Sequence, residues 1–258
     1  WHDPFDPEFM DHLTKGIDKY YQKEYDASEI LVCSEAGNVS DIDSLQTVRN
    51  PANLNDIVGF VQNSSPKSVN AAVSSAQIWK ATPEERRNAL LRVADLIEDE
   101  TEEVLSLIMR EAGRTRRDAL DEIKELVDFC RYYANYVTED PPVGIVAAIG
   151  PWNFPAAIFG GQLAAALAAG NGVIAKPAYE TPIIASLLIE IFHKAGVPKK
   201  CLQLVLGGAD IGNALVVQKG INQIAFTGST ETYRKIRESM VNNHPPGMRI
   251  VAEAGGYN

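Results

Sequence analysis

The spacing of apolar positions divides the chain into an irregular start, a helical stretch and an alternating second half. Residues 1–50 are polar and aperiodic, with one strand candidate over residues 29–33. The sequence NPAN at 50–53 predicts a turn, and the apolar run at 57–61 predicts a short strand. The first fifty residues are therefore expected to be largely irregular.

The next stretch carries helical signals. The segment TPEE at 82–85 supplies a capping threonine, a proline at the first helical position and a glutamate at the third. Apolar residues at helical spacing then predict one helix that continues to about Glu111, with Gly113 ending it. A second amphipathic helix is expected over residues 115–136.

From residue 143 onward, short apolar runs alternate with helical segments. The predicted strands cover residues 144–149, 172–175, 202–206, 223–226 and 249–252. The predicted helices cover residues 155–169, 209–219 and 229–242, with a further helix that begins at Thr181-Pro182 and ends before Gly196. Apolar strands separated by helices predict an α/β fold with a parallel sheet covered on both faces.

Composition and charge exclude several classes of function. The 258 residues carry a formal net charge of -10, which disfavours a phosphate backbone as a partner, so no nucleic-acid binding is expected. No apolar run approaches the ~18 residues of a membrane span. The three cysteines fit no disulfide or zinc spacing, so we predict no metal site and a reducing, cytoplasmic location. The first residue is Trp1 rather than methionine, which predicts a piece of a longer protein.

Candidate chemistry follows four of the predicted strands, at the ends where open parallel sheets bind ligands. These stretches are PWNFP at 151–155, KP at 176–177, GG at 207–208 and TGST at 227–230. The TGST stretch could bring backbone N–H groups close to a phosphate, or its serine could simply cap a helix. The lysine could hold ribose hydroxyls or phosphate, or extend into solvent. The GG pair lacks the GxGxxG spacing and could be only a turn.

Two further polar residues have the chemistry of a catalytic pair. Asn153 lies between two aromatic residues in a proline-bracketed turn, where its amide could donate to a developing oxyanion or merely stabilise the turn. Glu253 follows an apolar strand and precedes Ala254-Gly255-Gly256, so its carboxylate could act as a mobile general base or be an ordinary solvated glutamate.

Taken together and in this order, PWNFP, AKPAYETP, FTGST and AEAGG resemble the aldehyde dehydrogenase superfamily over roughly residues 45–258. The segments VRNPAN, FCRYYA and VAEAGGYN are similar more narrowly to 1-pyrroline-5-carboxylate (L-glutamate gamma-semialdehyde) dehydrogenases. That group includes the dehydrogenase part of bifunctional proline utilisation proteins. The resemblance implies a Rossmann-like nucleotide-binding domain with its N-terminal helices over residues 51–258, after an N-terminal extension over residues 1–50.

The resemblance also implies roles. In this family a cysteine thiolate attacks the aldehyde, hydride passes to the nicotinamide, and a glutamate-activated water releases the acid. The motifs make Asn153 the oxyanion donor and Glu253 the general base. Seven residues are implied to bind the cofactor, NAD with NADP not excluded, and these are Ile149, Pro151, Trp152, Lys176, Gly208, Gly228 and Ser229.

Three departures from the family pattern limit this carry-over. The family's nucleophilic cysteine would lie beyond Asn258, and Cys33, Cys130 and Cys201 are predicted to be structural, so this chain alone is expected to be inactive. Tyr179 stands where the family commonly has a glutamate that reads the ribose hydroxyls, which weakens the preference for NAD over NADP. Only residues 137–142 occupy the position of the family's β-hairpin arm, so oligomerisation of the parent protein is left open.

The leading hypothesis is the cofactor half of an NAD(P)-dependent dehydrogenase that oxidises an aldehyde, L-glutamate gamma-semialdehyde in proline catabolism, to a carboxylic acid. A truncation that binds nucleotide without catalysis is one alternative, and a dehydrogenase for another aldehyde is a second. A structural or interaction module with an empty cleft is a third.

Overall fold

The computed structural model describes residues 7–31 and 45–255, which form a helical layer and two β-sheets. The helices are α1 Pro7–Tyr20, α2 Pro66–Ser75, α3 Pro83–Asp99, α4 Thr101–Ala112, α5 Arg116–Ala134, α6 Ala157–Ala168, α7 Pro182–Lys194, α8 Ala209–Val216 and α9 Thr230–Asn243. The strands are β1 Tyr25–Ala27, β2 Leu45–Asn50, β3 Asn53–Gln62, β4 Ile145–Ile149, β5 Gly172–Lys176, β6 Leu202–Leu204, β7 Gln223–Gly228 and β8 Arg249–Ala254.

The larger sheet has the order β6-β5-β4-β7-β8, and all of its strand pairs are parallel. Along the chain, this sheet begins with its central strand β4 and continues outward to β5 and β6. The chain then returns to the other side of β4, where β7 and β8 lie. The strand order therefore reverses beside β4, where such sheets open a crevice at their carboxyl ends. The predicted α/β class, a parallel sheet flanked by helices, is confirmed.

Side-chain alternation along β4 divides the core between the two faces of this sheet. Val146 and Ala148 join a core with the N-terminal helical layer and helices α6 and α7. Ile145, Ala147 and Ile149 point to the other face, where α2, α8 and α9 cover them. Because successive residues of a strand face opposite sides, one apolar pentapeptide serves both cores.

The smaller sheet has the order β1-β3-β2, with β1 parallel and β2 antiparallel to β3. The predicted NPAN turn is confirmed, since it joins β2 to β3 with Asn50 paired to Asn53. The predicted strand at 57–61 is the middle of β3. The domain boundary predicted after residue 50 falls inside this hairpin.

The prediction of an irregular start was wrong for several segments. Helix α1 buries Leu13 and Ile17, four residues apart, and strands β1 and β2 pair with β3. Of the strand predicted over residues 29–33, only Ile30 makes a bridge, to Leu204, and residues 32 and 33 lie outside the described part. Helix α2 was also not predicted.

The single helix predicted up to Glu111 is two helices. The capping box of Thr82 and Glu85 starts α3 as expected, but the backbone leaves the helical region at Glu100. The hydroxyl of Thr101 donates to the carbonyls of Ile97 and Glu98, which satisfies the end of α3 while α4 begins. Gly113 ends α4 in the left-handed conformation, φ 67, as predicted. Among the described residues, no helix combines the length and apolar composition that a membrane crossing needs.

Candidate active site

A cavity of about 1680 Å³ opens at the carboxyl ends of the parallel strands. Its walls come from the 150–155 turn after β4, the loop after β5, the start of α8, the junction of β7 with α9, and the end of β8. All nine site residues predicted from the sequence line this cavity, namely Ile149, Pro151, Trp152, Asn153, Lys176, Gly208, Gly228, Ser229 and Glu253. Their catalytic and binding roles remain predictions.

The 150–155 turn contributes Pro151, Trp152, Asn153 and Phe154 to the cavity wall. Pro151 is buried, Asn153 is half-buried, and Trp152 is 56% exposed. The amide of Gly150 donates to the carbonyl of Lys176 at 3.1 Å, which ties the start of this turn to the end of β5. Asn153 can therefore meet a ligand from a fixed backbone, as an oxyanion donor must.

Lys176 does not extend into solvent, because its residue is only 6% exposed. Its Nζ donates to the carbonyl of Pro177 at 2.9 Å. Burial lowers the pKa of this lysine to about 8, and the nearby carboxylates of Glu180 and Asp210 partly oppose that shift. A Cβ at Gly212 would lie 3.5 Å from Lys176 Cε, so α8 packs closely over the lysine stem.

The glycine-containing stretches occupy the two helix starts that border the cavity. Gly207 has a φ of +143, and Gly208 lies in a bend, is the N-cap of α8 and lines the cavity. Ser229 is the N-cap of α9, and its Oγ accepts from the amide of Thr232 at 3.1 Å. The simple capping interpretation is thus correct for Ser229, and the helix N-terminus that it caps faces the cavity.

Glu253 is exposed on β8, the edge strand of the sheet, in register with Thr227 of β7. The carboxylate lies in the wall of the cavity with Asn153. Solvent access leaves this side chain free to change rotamer, as the general-base interpretation requires.

One polar pair in this cavity was not predicted from the sequence. Gln162 Nε2 donates to Thr227 Oγ1 at 3.0 Å, and both residues line the cavity floor beside Ile149. Gln162 is the only polar residue in the helix sequence AIFGGQLAAALA, and a lone polar residue in an apolar helix is a signal in the sequence that could have indicated a site residue. Phe129 and Tyr133 of α5 also line the cavity, which no strand-end rule could indicate.

The two described cysteines lie away from this cavity. Cys130 is fully buried in α5, and burial raises the pKa of its thiol to about 12. Cys201 is 5% exposed, burial raises the pKa of its thiol, and its Sγ lies 3.7 Å from the carbonyl of Ile78. The prediction that these two are buried is confirmed, while Cys33 lies outside the described residues.

Comparison with known proteins identifies relatives over most of the chain. A family model described as "Aldehyde dehydrogenase family" matches residues 39–258. The chain is 43% identical over 229 residues to Bifunctional protein PutA of Klebsiella aerogenes, covering 83% of this chain and 18% of that protein. It is 36% identical over 235 residues to the alpha-ketoglutaric semialdehyde dehydrogenase of Bacillus subtilis, covering 82% of this chain and 48% of that protein.

A solved structure agrees with the fold over nearly the whole chain. A 1-pyrroline-5-carboxylate dehydrogenase mutant from Thermus thermophilus matches with a TM-score of 0.86 and 27% identity, covering 98% of this chain and 54% of that one. The chain thus spans between about a fifth and a half of the length of these relatives.

Proposed function

Because this chain belongs to the aldehyde dehydrogenase family, we propose that its cavity binds a nicotinamide adenine dinucleotide for the oxidation of an aldehyde to a carboxylic acid. The observation that carries the proposal is the convergence of Asn153, Lys176, Ser229 and Glu253 on one cavity at the strand ends. These residues come from four separate segments of sequence, and the topology brings them together.

The residues of the cavity fit a dinucleotide. Lys176 has three N–H donors and gives one of them to Pro177, so within the described residues it retains donors for ribose hydroxyls. The start of α9 at Ser229 offers backbone N–H groups and a favourable dipole to a pyrophosphate. Gly208 and Gly228 keep the backbone accessible beside these groups, and Ile149, Pro151 and Trp152 supply an apolar wall.

Two side chains would act on the aldehyde. The amide of Asn153 would donate to the aldehyde oxygen as negative charge develops there. Glu253 would take a proton from the water that releases the acid. The bound dinucleotide would supply the hydride acceptor. Among the described residues no thiol lines the cavity, so we propose that the nucleophile belongs to a longer parent protein and that this chain alone binds cofactor without turnover.

The substrate is the finer part of this proposal. The PutA and 1-pyrroline-5-carboxylate dehydrogenase relatives support L-glutamate gamma-semialdehyde in proline catabolism. The name of the Bacillus subtilis relative supports a second short semialdehyde with a terminal carboxylate as the alternative. The separated cysteines support a cytoplasmic location for the parent protein.

The test is a titration of the chain with NADH, followed by the fluorescence of the reduced nicotinamide and by energy transfer from Trp152. We expect saturable binding that NAD displaces, and no NADH formation when NAD and glutamate semialdehyde are supplied together. Absence of saturable binding would overturn the cofactor proposal. NADH formation at the rate of a full-length relative would overturn the proposal that this chain lacks the nucleophile.

A further inference from the structure

We propose that Glu122 and Arg114 are positioning residues for the cavity, which hold the 150–155 turn, and with it Asn153, against the helical layer. Neither residue lines the cavity, and neither was singled out as a site residue by the sequence motifs. The catalytic consequence rests on the function proposed above, whereas the positioning itself does not.

Glu122 caps a helix that cannot cap itself. Helix α6 begins at Ala157 after an N-cap alanine, Ala156, whose methyl group offers no acceptor. Oε1 of Glu122, on α5, instead accepts from the amide of Ala156 at 2.8 Å and from that of Ala157 at 3.2 Å. Glu122 is 1% exposed, so a buried carboxylate lies against the N-terminus of α6, which is the positive end of the helix dipole.

Arg114 adds a second contact to the turn. Its Nε lies 3.7 Å from Oε2 of Glu122, and its guanidinium lies over the ring of Phe154, 4.4 Å from the centroid. Both Nε of Arg114 and Oε2 of Glu122 are buried without a hydrogen bond in the described part of the chain, and each lies opposite a group of the other sign. The planar guanidinium can pair along its edge and stack on its face at the same time.

The two contacts act at positions that closely follow the candidate oxyanion donor in the sequence. Phe154 is the next residue after Asn153, and Ala156 is the third. The chain is therefore held at Phe154 and at Ala156, directly after Asn153, which lines the cavity together with Trp152 and Phe154. A carboxamide that donates to a developing oxyanion must be held within about 0.5 Å of its productive position, and neighbouring residues that fix the backbone provide this.

The protonation of the buried Glu122 carboxyl depends on the groups that surround it. Burial raises the pKa of the Glu122 carboxyl, the amides of Ala156 and Ala157 and the charge of Arg114 lower it, and the charge of Glu125 raises it again. Glutamine in place of Glu122 keeps an oxygen for both amides but puts a neutral NH2 group opposite Arg114 in place of Oε2. Alanine removes the cap and the charge together, so the two substitutions separate these contributions.

The experiment is fluorine NMR of the nucleotide-free chain labelled with fluorotryptophan. The resonance of Trp152 reports on the turn, and that of Trp79, which is 6% exposed in the core, reports on the fold. We expect Glu122→Ala and Arg114→Met to shift or broaden the Trp152 resonance and to leave Trp79 unchanged. Glu122→Gln should restore the Trp152 resonance most of the way, because the cap remains.

Glu111 supplies the matched control. It caps α7 as Glu122 caps α6, with its two oxygens accepting from the amides of Ile183 and Ile184, both at 2.8 Å. Glu111→Ala, which removes both acceptors, should accelerate hydrogen exchange at those two amides and leave the Trp152 resonance in place. Glu122→Ala should accelerate exchange at Ala156 and Ala157 instead.

An unchanged Trp152 resonance in both Glu122→Ala and Arg114→Met would overturn the proposal. Should Glu122→Ala unfold the chain, Arg114→Met decides alone, since the cap on α6 is intact in that variant. The NADH titration is a separate readout. If the Trp152 resonance responds but no variant and no parent chain binds NADH, the positioning stands and the proposed function fails.

Discussion

At the scale of single residues, Lys176 illustrates how burial converts an ordinary lysine into a candidate ligand-binding group. The sequence alone left open whether this side chain extends into solvent. The parallel strand β5 ends at Lys176, and α8 covers the lysine stem at Gly212, so the ammonium is desolvated at the edge of the cavity. Sequence periodicity cannot predict that covering contact, because α8 is thirty-odd residues away along the chain.

We predict that Lys176→Met weakens NADH binding by about ten- to a hundredfold, since a hydrogen bond from a charged group contributes about 1.5–3 kcal/mol. The pKa of about 8 also sets a pH dependence. The ammonium donor is lost as pH rises through 8, so the Kd for NADH should increase from pH 7 to pH 9 in the parent chain and stay level in Lys176→Met. Lys194→Met is the control, because Lys194 is exposed and paired with Glu100 on another face. A pH-independent Kd in the parent chain would contradict the role of the ammonium.

Tyr179 is the second residue whose chemistry can be tested on its own. It is 45% exposed and lines the cavity two residues after Pro177, and its backbone carbonyl is held by Gln46 Nε2 at 2.9 Å. A glutamate at this position would place a negative charge near a 2′-phosphate. We therefore predict that Tyr179→Glu weakens NADPH binding about tenfold relative to NADH, since like charges facing each other cost one to several kcal/mol. Tyr179→Gln is the uncharged control. Equal losses for both nucleotides in Tyr179→Glu would show that Tyr179 does not face the 2′ position.

At the scale of elements, the sequence predicted those segments whose own pattern determines them. The central strands β4 and β5 are five buried residues each, and such apolar runs between helices are recognisable without any partner. Strand β2 is different, because only Val48 and Asn50 are buried and its extended form depends on pairing with β3. The same limit applies to the caps of α6 and α7, whose acceptors lie on other helices.

The cap of α7 has a measurable consequence for stability. Burial raises the pKa of Glu111 to about 8, and the amides of Ile184 and Ile183 oppose the shift. The folded chain therefore holds this proton up to higher pH than the unfolded chain, whose glutamates titrate near 4.3. The stability that the protonated carboxyl contributes is fully present below the unfolded value and is lost as pH rises through the folded value. The slope is at most about 1.4 kcal/mol per pH unit.

We predict that the free energy of unfolding, measured with urea, falls between pH 5 and pH 8 and that Glu111→Gln reduces this slope. The pKa of Glu122 is also raised, and the pKa of His193 is lowered. Both residues are present in the parent chain and in Glu111→Gln, so their contributions to the slope cancel in the comparison. Identical slopes for the parent chain and Glu111→Gln would show that Glu111 does not titrate in this range.

At the scale of the whole molecule, the two sheets and the helical layer share one core. The apolar cluster that contains Val146 and Ala148 of β4 also contains Leu13 and Ile17 of α1 and Val48 of β2. Arg110 of α4 strengthens the connection, because it pairs with Asp56 of β3 at 2.6 Å and donates to the carbonyls of Tyr20 and Lys23. The sequence could not indicate this continuity, since the first fifty residues carry few periodic signals of their own.

The division of the chain after residue 50 can therefore be tested by deleting residues 1–50. The deletion removes β1 and β2, the two strands that pair with β3, and leaves β3 without a neighbour on either side. It also removes Leu13 and Ile17, and burial of each such side chain contributes about 1.5–3 kcal/mol. We predict a lower urea midpoint, seen together in circular dichroism and in Trp79 fluorescence. Leu45→Gln, at a position 64% exposed in β2, should stay within about 0.5 kcal/mol of the parent chain. An unchanged midpoint after the deletion would show that residues 1–50 are a separable extension, as the predicted division of the chain requires.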